Sequence, residues 1–88
     1  MIIIKNGELV LENEVMKGDI AVENGKISAI APLIEPGAAD CCLDASDAYV
    51  FPGFIDPHTH FSMTNALATT ADDFASGTRA AVKGGTTT

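Results

Sequence analysis

The chain holds two histidines, and they stand two residues apart in Phe54-Ile55-Asp56-Pro57-His58-Thr59-His60. In extended backbone, residues i and i+2 project to the same face. His58 and His60 are therefore expected to point together, with Asp56 on their side and Pro57 and Thr59 facing away. Two neutral imidazoles side by side can bind one divalent metal ion. Asp56 is placed to orient such a ligand from behind or to begin a contact with a substrate.

A His-x-His pair beside a loop has no necessary function, and Pro57 breaks any long central strand. Position gives this pair its meaning. It closes a short apolar strand and precedes a long polar loop and a helix. In β/α barrels, catalytic groups collect at that end of the strands.

The elements that must hold the pair can be read outward from it. Before it, Ile2 to Lys5 is β-branched and apolar, Asn6-Gly7 is a turn dipeptide, and Glu8-Leu9-Val10-Leu11 follows, which together predict a hairpin. Glu12-Asn13-Glu14 makes a polar turn to Val15. Asp19-Ile20-Ala21-Val22-Glu23 alternates apolar and polar, Asn24-Gly25 turns tightly, and Lys26-Ile27-Ser28-Ala29-Ile30 returns with the same alternation. Residues 32–39, with Pro36-Gly37, read as a loop. Cys42-Leu43-Asp44 and Tyr49-Val50-Phe51 predict two more short strands around the polar turn Ala45-Ser46-Asp47. Residues 1–51 are thus expected to form a small antiparallel β unit, one wall of a sandwich.

Pro52-Gly53 marks a change of composition, and residues 52–88 read as a second unit. A Ser/Thr/Asn-rich loop over 62–70 follows the histidines. Thr70-Ala71-Asp72-Asp73 predicts a helix start, with a hydroxyl at the N-cap and acids in the first turn. Phe74, Thr78, Ala81 and Val82 recur at helical spacing and are expected to face a core. Gly84-Gly85 stops the helix. It is no phosphate loop, because no strand precedes it to open a helix. Thr86-Thr87-Thr88 begins a further strand, and a strand with no residues left to complete it implies truncation. Strand, loop, helix and strand start open a β/α pattern of the kind that builds parallel sheets and barrels. Thr59 and the three terminal threonines read as strand residues, with no base beside them to make a nucleophile. Arg79 reads as a solvated cation that can pair with Asp72; Met16 and Met63 read as packing residues.

Composition narrows the function classes. Five basic against twelve acidic side chains give a net charge of −7, and no Lys/Arg cluster offsets it. Such a surface repels phosphate backbones, so a nucleic-acid partner is not expected. No apolar run approaches the ~20 residues of a membrane span, and Met1-Ile2-Ile3-Ile4-Lys5 has neither the length nor the basic start of a signal segment. Cys41 and Cys42 are adjacent, where a mutual disulfide would be strained. They are expected to be buried or half-buried side chains of a cytoplasmic protein.

From Pro52-Gly53-Phe54-Ile55-Asp56-Pro57-His58-Thr59-His60 the sequence resembles the first barrel strand of the metal-dependent amidohydrolases. Thr70-Ala71-Asp72-Asp73-Phe74, Ser76-Gly77-Thr78-Arg79-Ala80-Ala81 and Gly84-Gly85-Thr86-Thr87-Thr88 are similar to the dihydropyrimidinase and hydantoinase branch. The opening, Ile-Ile-Lys-Asn-Gly through Gly-Asp-Ile-Ala-Val-Glu-Asn-Gly-Lys-Ile, is like that family's β-sandwich start. The resemblance spans nearly the whole chain and is weakest over 35–48. One stretch departs: the family carries an acidic residue and a Pro-Gly-Gly-like run soon after the second histidine, where this chain has Phe61-Ser62-Met63-Thr64-Asn65-Ala66-Leu67. That loop shapes the family's substrate pocket, so substrate side-chain preference stays open.

The resemblance implies a parent fold of a (β/α)8 barrel plus a β-sandwich. This chain would supply sandwich strands over 1–51 and the first barrel strand and helix over 52–88. It implies His58 and His60 as metal ligands, and two zinc ions bridged by a carboxylated lysine and a hydroxide. The lysine, two further histidines and a proton-shuttling aspartate would come from residues outside this chain. The metals would activate water to open a dihydropyrimidine or hydantoin ring to an N-carbamoyl amino acid. It also implies a small cyclic amide as substrate and a homo-oligomer. Because a barrel needs ~200 residues, the 88 residues are expected to be an inactive amino-terminal piece. Allantoinase or dihydroorotase activity is the sister alternative; a non-catalytic scaffold of the same fold is another, opposed by retention of both histidines.

Overall fold

A computed structural model describes residues 1–60, 62 and 73–88. The chain divides into two compact units, Met1–Pro52 and Gly53–Thr88.

The first unit is one five-stranded sheet: β1 (Ile2–Val10), β2 (Val15–Glu23), β3 (Lys26–Ala31), β4 (Cys41–Asp44) and β5 (Tyr49–Val50). The order is β3-β2-β1-β4, with β5 also on β1. Antiparallel pairing joins β1 to β2 and β2 to β3. The polar turn after β1 closes with the Leu11 N–H donating to the Glu14 carbonyl at 2.8 Å. Asn24 and Gly25 both have positive φ, 51° and 74°, the signature of the two-residue turn whose twist suits a hairpin.

Two expectations about how the strands of this unit run are corrected. Asn6-Gly7 does not turn the chain. β1 runs straight through it as one strand of nine residues, and the register against β2 slips between Ile4 and Gly7. One extra residue sits on β1 there, a bulge with Asn6 at φ 62°. The same left-handed freedom that makes Asn-Gly a hairpin signal also serves a bulge. The partner decides: the Asn6 N–H donates to the Asp19 carboxylate at 2.8 Å. Nor is the unit wholly antiparallel. β4 and β5 each pair parallel with β1, along its first and second halves. The chain leaves β3, crosses over through 32–40, and returns beside β1 in β1's own direction.

The buried apolar side chains among the described residues are Ile3, Leu9, Ile20 and Ala21. Asp19 is buried with them, at 1% exposure. Four consecutive residues of β2, from Gly18 to Ala21, are buried, so the simple alternation read from the sequence does not hold there. Cys41 and Cys42 are free and exposed, contrary to the expectation of burial. They belong to the last strand on the β1 side of the sheet, all four of whose residues are exposed.

In the second unit Phe54 bridges Thr86 in parallel. The Phe54 N–H donates to Gly85 O at 2.9 Å, Thr87 N–H to Phe54 O at 2.9 Å, and Asp56 N–H to Thr88 O at 2.7 Å. The anticipated strand 54–56 is thus a short parallel pairing, and residues 86–88 are its partner. Between them lies α1 (Phe74–Lys83), completing one β-α-β step. The helix starts later than the sequence implied. Thr70 lies outside the described residues, and Asp73 is the N-cap. Its carboxylate takes the Ser76 N–H at 2.7 Å, while the Asp73 N–H donates to Ser76 Oγ at 3.2 Å. A reciprocal capping box satisfies two donors that a helix start otherwise leaves bare. No acidic residue falls in the first turn.

The helix ends as its glycines imply. Gly85 takes φ 96°, its N–H donates to Val82 O at 3.0 Å, and Thr86 N–H donates to Ala81 O at 2.9 Å. This is a Schellman closure. The core face was misread: Phe74, Thr78 and Val82 are exposed, Ala81 is half-buried, and Gly77 is the buried helix residue.

Candidate metal centre

The geometry around the histidines begins at Asp56. Its backbone N–H is held by Thr88 O. As the residue before a proline, Asp56 is biased to extended backbone. Pro57 has no N–H to donate, so the next available donor is His58, and Asp56 Oδ1 accepts it at 3.1 Å. The chain bends at Pro57 and His58. The expected route to a converging pair, a regular extended strand, is therefore not the one taken.

The rings nevertheless converge. His58 Nε2 lies 2.9 Å from His60 Nε2. Their centroids are 4.8 Å apart and the planes cross at 73°. Both side chains are exposed. Without a metal, one ring must donate an Nε2 proton to the other. To hold an ion, both must carry their proton on Nδ1 and turn both Nε2 lone pairs to the same point.

The donor set suits a divalent ion in part. With metal–nitrogen bonds of ~2.0–2.1 Å at tetrahedral angles, neighbouring ligands on one zinc ion sit ~3.3 Å apart; the two Nε2 atoms, 2.9 Å apart, need separate by only a few tenths of an ångström. Among the described residues, no group of three His, Cys, Asp or Glu side chains comes together. Asp56 is no ligand here, since its carboxylate faces the His58 backbone. A catalytic zinc site takes three protein ligands and an open position; the described residues bring two imidazole nitrogens together.

Asp56 and Thr59 also line a cleft of about 420 Å³ with Thr78, Ala81, Thr86 and Thr88. Neither histidine lines it. The stretch over 61–67 that departs from the family pattern lies outside the described residues, save Ser62, whose Oγ accepts the Phe74 N–H at 3.2 Å. Asp72, the alternative partner for Arg79, falls outside them too.

Sequence reasoning missed a second polar cluster, Lys5 with Asp19. Lys5 Nζ donates to the Asp19 carboxylate and to Ile34 O at 2.8 Å, and the Ile34 N–H donates back to Asp19 at 2.8 Å. The available signal was an aspartate beside Ile20 in an otherwise apolar run, and a lysine closing Ile2-Ile3-Ile4. Buried charges need partners. The cluster holds Ile34, in the crossover segment, to the sheet.

Comparison with known proteins gives three findings. Residues 49–88 match the amidohydrolase family. Over 86 residues the chain is 46% identical to dihydropyrimidinase 2 of Caenorhabditis briggsae and 45% identical to D-hydantoinase of Geobacillus stearothermophilus, covering 98% of this chain in each case. It spans only 17% and 18% of those relatives' lengths. Its structure superposes on a D-hydantoinase from Thermus sp. with a TM-score of 0.89 at 38% identity, over 99% of this chain and 19% of that one.

Proposed function

Because this chain belongs to the dihydropyrimidinase and D-hydantoinase branch of the amidohydrolase family, we propose that the protein hydrolyses a C–N bond of a small cyclic amide, with His58 and His60 as two ligands of a catalytic divalent metal. The observation that carries this reading is the 2.9 Å approach of the two Nε2 atoms. A metal held there would supply Lewis acidity and a nucleophile at neutral pH. The chain's own part is to present two nitrogens on a segment tied to a parallel strand pair. Zinc is the metal we favour, since imidazole suits it and it imposes no strict geometry.

Dihydrouracil and hydantoin are the substrates to try first, each opening to an N-carbamoyl amino acid. The names of the relatives support that class. Cytoplasmic residence is in keeping with two free, exposed thiols.

Ring-opening of both compounds by the protein, assayed after chelation and after re-addition of zinc, tests the proposal. Turnover should vanish with the metal and return with it, and His58→Ala and His60→Ala should each lower it by two orders of magnitude or more, on the order of the loss when a catalytic metal is displaced. Turnover that survives complete metal removal refutes the assignment. The 88 residues by themselves, with two ligands among those described, should open neither ring.

A further inference from the structure

We infer that Asp56 is a positioning residue for the histidine pair, acting through the backbone of His58 and not as a ligand. This rests on the reading of His58 and His60 as metal ligands and deepens it.

Asp56 is fixed from two directions. Its N–H donates to Thr88 O at 2.7 Å, which anchors it to the far strand of the parallel pair. Its Oδ1 accepts the His58 N–H at 3.1 Å, which sets the bend through Pro57. The proline between them matters in both senses. It biases Asp56 to extended backbone, and it removes the N–H that would otherwise compete for the carboxylate. The aspartate side chain therefore reaches over Pro57 to the next donor, a side-chain turn that Asp and Asn form readily. With both ends held, the direction in which His58 leaves the backbone is determined. That direction brings its Nε2 to 2.9 Å from that of His60, although the pair is not in regular extended backbone.

Exposure sharpens the argument. Both histidine side chains are exposed, so burial does not lock their rotamers. Among the described residues, the hydrogen bond from the His58 N–H to Asp56 restrains the segment directly at the first ring. Removing the acceptor releases the bend, and the two rings then sample separated orientations. Ligands that must be gathered at the moment of binding hold a metal less tightly than ligands already gathered.

The roles of acceptor and of charge can be separated. Asp56→Asn keeps a side-chain oxygen at the same place and removes the charge; Asp56→Ala removes both. The metal-free protein is examined first, by NMR, for the ring-to-ring contact between His58 and His60. Co2+ is then titrated and followed by its visible absorption. The Ala variant should lose the ring contact and bind Co2+ about 10–100-fold more weakly, the loss typical when a group supporting a metal ligand is removed. The Asn variant should retain both properties, and it carries the test should the Ala variant not fold. An intact ring contact in the Ala variant, an unchanged Co2+ affinity there, or loss of the contact in the Asn variant overturns the inference. If the parent protein binds no Co2+ while the ring contacts behave as described, the metal reading falls and the positioning role stands.

Discussion

The ammonium of Lys5 on β1 donates to the carboxylate of Asp19 on β2, deep enough that the aspartate is 1% exposed. That carboxylate also takes the N–H groups of Asn6 and Ile34, each at 2.8 Å. One side chain thus holds the β1 bulge, its neighbouring strand and the start of the crossover segment. Replacing it leaves an ammonium and two N–H groups without their acceptor. Asp19→Ala should cost about 3 kcal/mol, the lower end for a broken buried pair because Lys5 can reach water. Urea unfolding would measure it, with hydrogen exchange at Ile34 as the local readout.

The same pair gives a pH dependence with a definite sign. Burial alone would raise the Asp19 pKa, but the hydrogen bonds from Lys5, Asn6 and Ile34 and the lysine charge outweigh it and lower the value from 3.8 to about 2. A carboxyl that is more acidic folded than unfolded stabilises the fold above its unfolded pKa. That contribution is fully present above about pH 4 and disappears as pH falls through about 2. Asp19→Asn should flatten the acid limb of the urea midpoint in that window. An acid limb of unchanged slope would falsify this assignment of the titrating group.

Gly53 has no room for a side chain. A Cβ built there would lie 2.0 Å from Thr87 Oγ1 and 2.6 Å from its methyl group. Gly53→Ala must push the 86–88 segment away from Phe54, at about 1–3 kcal/mol for an overpacked site. Amide exchange at Thr87 and Asp56 should accelerate, while the antiparallel strands β1 to β3 keep their protection.

Asp73 and Ser76 hold the start of α1 through their reciprocal bonds. The Asp73 carboxyl is held below its ordinary pKa by the Ser76 N–H and hydroxyl. Asp73→Ala should destabilise the start of the helix, seen as fraying of its first turn by NMR. Asp73→Asn, a comparable cap, should recover most of the loss.

Much of the local structure was legible because it depends on neighbours in sequence. Asn24-Gly25 makes its turn with two positive φ angles, and Gly84-Gly85 stops its helix. Asn6-Gly7 shows the limit of that reasoning. The dipeptide specifies a left-handed residue, and a bulge uses one as well as a hairpin does. The helix face was misread for a similar cause: spacing identifies which residues align, not which of them has something to pack against. In these 88 residues the buried helix position is Gly77, and Phe74 and Val82 are exposed. The cysteines fell the same way, since a small thiol is buried only where another layer covers it.

The chain by itself determined the Asn24-Gly25 turn, the Gly84-Gly85 helix stop and the spacing of two histidines beside a short strand. These follow from residue type and spacing over a few positions. Tertiary structure decided the parallel return of β4 and β5 onto β1, the burial of Asp19 against Lys5, and the anchoring of Asp56 to the 86–88 segment. Each of those depends on a partner at least a dozen residues away: Cys41 beside Ile2, Ile34 beside Asp19, Thr88 beside Asp56. A hydrogen bond between distant residues is set by where the folded backbone brings them, which no local pattern specifies.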